Sequence, residues 1–248
     1  MKLGISAQFV IGSTVFSETK QFMDQLGFVK VEEGKSPSKE KFVLYTDGRA
    51  NILLNETAEF DYSGIIYFTP NIEEVVERLE TVGIPLTIQE DKNEIRSAFF
   101  MTKDKIPVNI IQAQHDLKPN PFGKSVVDWG HFGEYAIKVG DLDESIEYWE
   151  KLGFETLFRD EKWDFAILSD GLIILGLHAH DMGVKSALTY FHPDMKSMVN
   201  QLKDRGLNFE SETEYEMNGE KAIDAAIRAP GGQVFFLFTG DVSQIDST

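Results

Sequence analysis

The sequence predicts an α+β fold made of four copies of one βαβββ unit, and three observations carry that reading. The stretch GEYAIKVGDLDESIEYWEKLGFE, Gly133 to Glu155, runs through strand, tight turn, capped amphipathic helix and second strand. The same signals occur near the start, in AQFVIGSTVFSETKQFMDQLGFVK, and the two LGF triplets lie 126 residues apart (Gly153 minus Gly27). Each half is itself double, because GIIYFTPNIEEVVERLETVGIPL and ALTYFHPDMKSMVNQLKDRGLNF repeat the plan once more.

The first unit is the least regular, with Thr14 and Val15 where the others carry a polar helix-starting turn. In the second, Ile72, Val75, Val76, Leu79 and Val82 form one helical face ahead of Gly83, and IRSAFFMT and VNIIQA supply closing strands. In the third, Tyr135, Ile137 and Val139 alternate with Glu134, Ala136 and Lys138. Asp141 or Asp143 caps the next helix, whose apolar positions Leu142, Ile146, Trp149 and Leu152 end at Gly153. The fourth repeats this with Met195, Met198, Val199 and Leu202 before Gly206, and closes with AIDAAIRA and QVFFLF. Two further matches, FVLYTDG with FAILSDG and Tyr67-Phe68 with Tyr190-Phe191, share an offset of 123, so the second half is three residues shorter between its second and third strands. The Pro/Asn/Gly-rich piece KPNPFGKS, Lys118 to Ser125, is a natural joint. The expected organisation is therefore a two-unit domain over 1–117, a linker over 118–127, a second two-unit domain over 128–241 and a tail over 242–248.

Composition narrows the chemistry. The 248 residues are 42% hydrophobic, ample for packed cores, and carry 24 Lys and Arg against 41 Asp and Glu, a formal charge of -17. Such a field repels nucleic acid and anionic lipid and favours a cationic ligand. Zero cysteines exclude disulfides and thiolate chemistry. No apolar run is long enough for a membrane span and no secretory signal is evident, so a cytoplasmic protein is expected.

The tandem pattern of strand, V-x-D-L-x-x-S, helix and L-G-F, seen in VGDLDESIEYWEKLGF, resembles the vicinal oxygen chelate superfamily of glyoxalases, extradiol dioxygenases and bleomycin-resistance proteins. RAPGGQVFFLF, Arg228 to Phe238, is similar to that family's closing D-P-D-G-N-x-x-E-L. The resemblance covers essentially the whole chain. It implies glyoxalase-like domains with curved mixed sheets around clefts, in which a divalent metal is chelated on the inner strand faces. Carried over residue by residue, the first ligand position falls on Gln8, Gly64, Glu134 and Ala187, and the second on Leu53, Ile110, Gly176 and Phe236. Only Gln8 and Glu134 offer donors, so the family's metal site is expected to be lost.

What remains is the composition of a pocket. Glu134, Trp163, Gly176, His178, Ala187, Tyr190 and Phe236 are the candidate ligand-binding residues, with Lys138 an alternative neutralising partner for Glu134. No catalytic residue is assigned. In the N-terminal half Gln8, Asn51, Asn55 and Gln112 fall on the cleft-facing parity, and uncharged amides suit binding rather than acid–base work. The leading expectation is a protein that binds a small organic molecule, cationic or aromatic, without a metal cofactor, as a monomer or homodimer. The alternative is a lyase or dioxygenase using nickel, zinc, manganese or iron on Glu134, His178 and His180. A third reading is an interaction scaffold without a small-molecule site.

Overall fold

A computed structural model describes residues 2–36, 39–92, 94–114, 118–217 and 219–242. Residue 117, the expected domain boundary, and residues 243–248 of the expected tail lie outside them. The first unit is β1 (Ser6–Ser13), α1 (Phe16–Leu26), β2 (Val29–Lys35), β3 (Lys41–Thr46) and β4 (Asn51–Glu56). The second is β5 (Tyr62–Thr69), α2 (Ile72–Thr81), β6 (Thr87–Asp91), β7 (Glu94–Met101) and β8 (Pro107–Gln112). The third is β9 (His131–Lys138), α3 (Leu142–Lys151), β10 (Glu155–Asp160), β11 (Phe165–Ser169) and β12 (Ile174–His178). The fourth is β13 (Ser186–His192), α4 (Met195–Asp204), β14 (Ser211–Met217), β15 (Glu220–Arg228) and β16 (Val234–Thr239). The fold is thus α+β, with the expected βαβββ order throughout. Among the described residues no helix is long and apolar enough to cross a bilayer.

Hydrogen bonding gathers the strands into two mixed eight-stranded sheets, ordered β2-β3-β4-β1-β5-β8-β7-β6 and β10-β11-β12-β9-β13-β16-β15-β14. Each has the same internal pattern, with β5–β8 and β13–β16 as parallel pairs among antiparallel neighbours. Packing divides the chain differently. One compact unit comprises Met1–Val10, Ser63–Pro119 and Ala136–Lys185, and the other Ile11–Tyr62, Asn120–Tyr135 and Ser186–Thr248. Each therefore combines sequence from both halves of the chain.

The helices start as their local chemistry dictates. Asp141 accepts the Glu144 N–H and Asp194 the Ser197 N–H, at 2.9 Å and 3.2 Å, each satisfying a donor that the first helical turn leaves without a partner. Val15 occupies the equivalent position of α1 and supplies no side-chain cap. There Ser13 Oγ accepts the Val15 N–H, while Asp61 accepts both the Thr14 N–H and its hydroxyl. The LGF triplets are accounted for at the other helix end. Gly27 and Gly153 follow α1 and α3 with φ of 84° and 99°, a left-handed turn that glycine makes without steric cost, and Phe28 and Phe154 then enter the core.

Each compact unit contains a buried tyrosine–aspartate tie. In the first, Tyr67 donates to Asp170 Oδ2 at 2.6 Å; in the second, Tyr190 donates to Asp47 Oδ2 at 2.7 Å. These four residues are the Tyr and Asp of the repeated YF and TDG/SDG motifs. Each aspartate also accepts two backbone N–H groups of its own turn on Oδ1. Around Tyr190 the second unit packs Trp129, Phe28, Phe132 and Phe235, and Trp129 Nε1 donates to Leu26 O at 2.6 Å.

Candidate binding faces

Strand parity defines which side of each sheet is available. In the second compact unit Tyr190, Phe235 and Leu237 lie on the side covered by α1 and Trp129. Thr189, Phe191, Phe236 and Phe238 occupy the other side, and register confirms the pairing, Thr189 with Phe236 and Phe191 with Phe238. Phe236 and Phe238 stack at 5.5 Å with an interplanar angle of 17°, both half-buried, and Phe191 meets Phe238 edge-on at 5.9 Å. Gly133 leaves room for Phe191, since a Cβ there would sit 2.4 Å from its ring.

Glu134 on β9 is 5% exposed, and Ala187 is fully buried. Tyr190, expected as an aromatic cleft wall, is instead a core residue with no exposed surface, committed to Asp47. The reason is its spacing: three residues past Ala187, it points to the opposite side of the strand. Burial raises the Asp47 pKa above the ordinary carboxylate range despite hydrogen bonds from the Ala50 N–H, Tyr190 and the Arg49 N–H. Burial, together with the charge of Asp47, also pushes the Tyr190 phenol far up, so tyrosine remains the donor.

The same face carries two residues that pattern-matching to ligand positions passed over. Asp224 lies directly opposite Phe238 across β15–β16, and Ala226 opposite Phe236. Tyr215 on β14 donates to Asp224 Oδ1 at 3.0 Å. Half-burial raises the Asp224 pKa, the Tyr215 hydrogen bond opposing it. The available signal was the alternation in DAAIR, which puts Asp224 and Ala226 on one side once the strand is recognised.

In the first compact unit the open face of β10–β12 gathers Trp163, Gly176, His178 and His180. Phe165 stands opposite His178 and Ile167 opposite Gly176. The Phe165 and His178 rings stack at 5.5 Å and 14°, Phe158 meets Phe165 at 5.7 Å, and His180 meets His178 edge-on at 5.1 Å. Trp163, 61% exposed, sits on the adjoining turn, where Asp160 accepts the Lys162 and Trp163 N–H groups and His180 Nδ1 lies 3.2 Å from Trp163 O. Lys138, offered by the sequence as a partner for Glu134, pairs with Asp181 at 2.6 Å.

In the N-terminal half, register moves one expected position by a residue. Tyr67 pairs with Ile110 where Tyr190 pairs with Leu237, so Asn109, not Ile110, corresponds to Phe236. Gln112 faces no cleft; its amide accepts the Ile72 N–H and donates to Pro70 O, capping α2 from outside the helix. The divalent metal implied by the resemblance does not fit these residues. Glu134 alone among Glu134, Gly176, Ala187 and Phe236 carries a donor, and among the described residues no group of three or more His, Asp or Glu could hold a metal ion.

No protein-family model matches the chain, and no curated protein sequence does. Solved structures do resemble it. A catechol 2,3-dioxygenase matches with a TM-score of 0.60 and 15% identity over 97% of this chain and 93% of that one. Homoprotocatechuate 2,3-dioxygenase from Arthrobacter globiformis matches at 0.64 and 13%, over 97% and 80%. The 2,3-dioxygenase LapB from Pseudomonas sp. KL28 matches at 0.60 and 12%, over 97% and 93%. At such identities the likeness establishes the fold alone, which is that of these extradiol dioxygenases.

Proposed function

We propose that this chain, carrying the extradiol dioxygenase fold, binds a small planar aromatic molecule on the open face of β10–β12, without a resident metal. The observation that carries the reading is the contiguous ring array of Phe158, Phe165, His178 and His180, which offers stacking surface with the exposed His180 imidazole at one end. The poverty of donors at the family's metal positions supports binding over metal-assisted chemistry. Glu134 belongs to the other compact unit and is not asked to touch this ligand.

Titration with catechol, 2-naphthol and indole tests the proposal. Trp129 and Trp149 have no exposed surface, so a change in Trp163 emission reports ligand on this face. F165A and H178A are expected to weaken binding by about three- to tenfold each, the worth of an aromatic pair. Chelator treatment should leave affinity unchanged. Binding that ignores both substitutions, or no binding by any compound, overturns the reading. The competing assignment, a dioxygenase, draws support from the neighbours' names; it predicts catechol consumption when dioxygen is admitted after anaerobic loading with ferrous iron.

A further inference from the structure

We propose that the open face of β14–β16 is a second binding site, for a small organic cation, with the Asp224 carboxylate as counter-ion and Phe236 and Phe238 as an aromatic floor. It does not rest on the aromatic ligand assigned to β10–β12, because its residues belong to the other compact unit.

The geometry points there for four reasons. Residues directly opposite in antiparallel strands project from one side, so Asp224 and Phe238 share a face, as do Ala226 and Phe236. Asp224, Phe236 and Phe238 are all half-buried, neither sealed in the core nor fully in water. On its own strand Asp224 is flanked on this face by Ala222 and Ala226, so that its nearest same-strand neighbours are single methyl groups. Tyr215 holds one carboxylate oxygen at 3.0 Å, which fixes its direction without neutralising it.

The charges on β14 are segregated by side. Glu212 and Glu214 alternate with Thr213 and Tyr215, and their partners are the helix lysines Lys203 and Lys196, at 2.6 Å and 2.7 Å. Thr213 and Tyr215 share the Asp224 side, where among the described residues no Lys, Arg or His forms a salt bridge with Asp224. Asp224 is therefore a partly desolvated carboxylate whose counter-charge none of the described residues supplies. An organic cation supplies it and gains twice, from the carboxylate and from the negative faces of the stacked rings. A hard metal ion gains little, since one carboxylate and one phenol are far from the oxygen shell it requires. The formal charge of -17 raises the local concentration of any cation.

Calorimetric titration of the full chain with choline and with its neutral isostere 3,3-dimethylbutan-1-ol separates charge from shape. Choline is expected to bind saturably at one site, and the alcohol about tenfold more weakly. D224N should weaken choline about tenfold while retaining the fold, because it removes a carboxylate that half-burial disfavours. F238L, which keeps the charge and removes the ring, should weaken choline several-fold and provides a second variant should D224N not fold. Equal affinity for the two compounds, choline binding unaffected by D224N and F238L, or no saturable choline binding overturns the proposal. Loss of the β10–β12 ligand leaves it intact, and the converse also holds, because F165A and H178A alter residues of the other compact unit.

Discussion

Tyr190 and Tyr67 show how much a single side chain carries. Each phenol donates to a buried aspartate, and for Asp47 burial outweighs the hydrogen bonds it accepts, so its ionised form costs stability near neutral pH. The sign follows: a carboxyl whose folded pKa lies above its unfolded value becomes less costly as pH falls through the folded value. Removing the tyrosine hydroxyl leaves the carboxylate short of a donor inside the protein. Y190F and Y67F are each expected to lower unfolding stability by about 2 kcal/mol, the range for a hydrogen bond to a charged group. Urea midpoints check this, and unchanged midpoints would show that the phenols are not needed. Both residues were visible in sequence as repeated motifs. Their partners were not, because no local rule connects a turn aspartate to a tyrosine 143 or 103 residues away. Asp224 escaped for the converse reason: its interest comes from lying opposite Phe238, which depends on a register that composition does not encode.

At the scale of elements, capping and periodicity made the helices legible. Leu142, Ile146 and Trp149 are buried along α3, as Ile72, Val75, Val76 and Leu79 are along α2. The first unit, weakest in sequence, forms the same helix without a side-chain cap on its first turn, and Ser13 and Asp61 instead bond Val15 and Thr14 just ahead of it. D194A is expected to destabilise the protein by about 1 kcal/mol, the usual worth of an N-cap. Hydrogen bonds from Ser197 hold the Asp194 carboxyl below its ordinary range, so the cap contributes above the unfolded carboxylate pKa and is lost as pH falls through the folded one. The D194A deficit, measured from denaturant midpoints, should therefore shrink in acid. A deficit constant from neutral pH into the acid range would refute that account. The one-residue shift from Ile110 to Asn109 marks the limit of sequence reading, since counting across a closing strand requires loop lengths that only the parallel pairing with β5 supplies.

For the whole molecule, the strands follow the order of the chain while the packing does not. Each eight-stranded sheet is drawn from one half of the sequence, yet each compact unit draws on both. The repeat offsets of 126 and 123 correctly announced four units on one plan, and hydrogen bonding joins them first with second and third with fourth. The ties are reciprocal in sequence: Tyr67 of the first half bonds Asp170 of the second within one compact unit, and Tyr190 of the second half bonds Asp47 of the first within the other.

Those reciprocal ties bear on what the joint between the halves is for. A contact made twice, once in each direction, fastens two pieces whether or not a peptide also runs between them. A protease site placed within Lys118–Ser125 should accordingly yield a nicked protein that shows two bands under denaturing electrophoresis and still elutes as one particle under native conditions. Separation of the fragments on cutting would mean that the covalent thread, rather than the paired tyrosines and aspartates, keeps the halves in company.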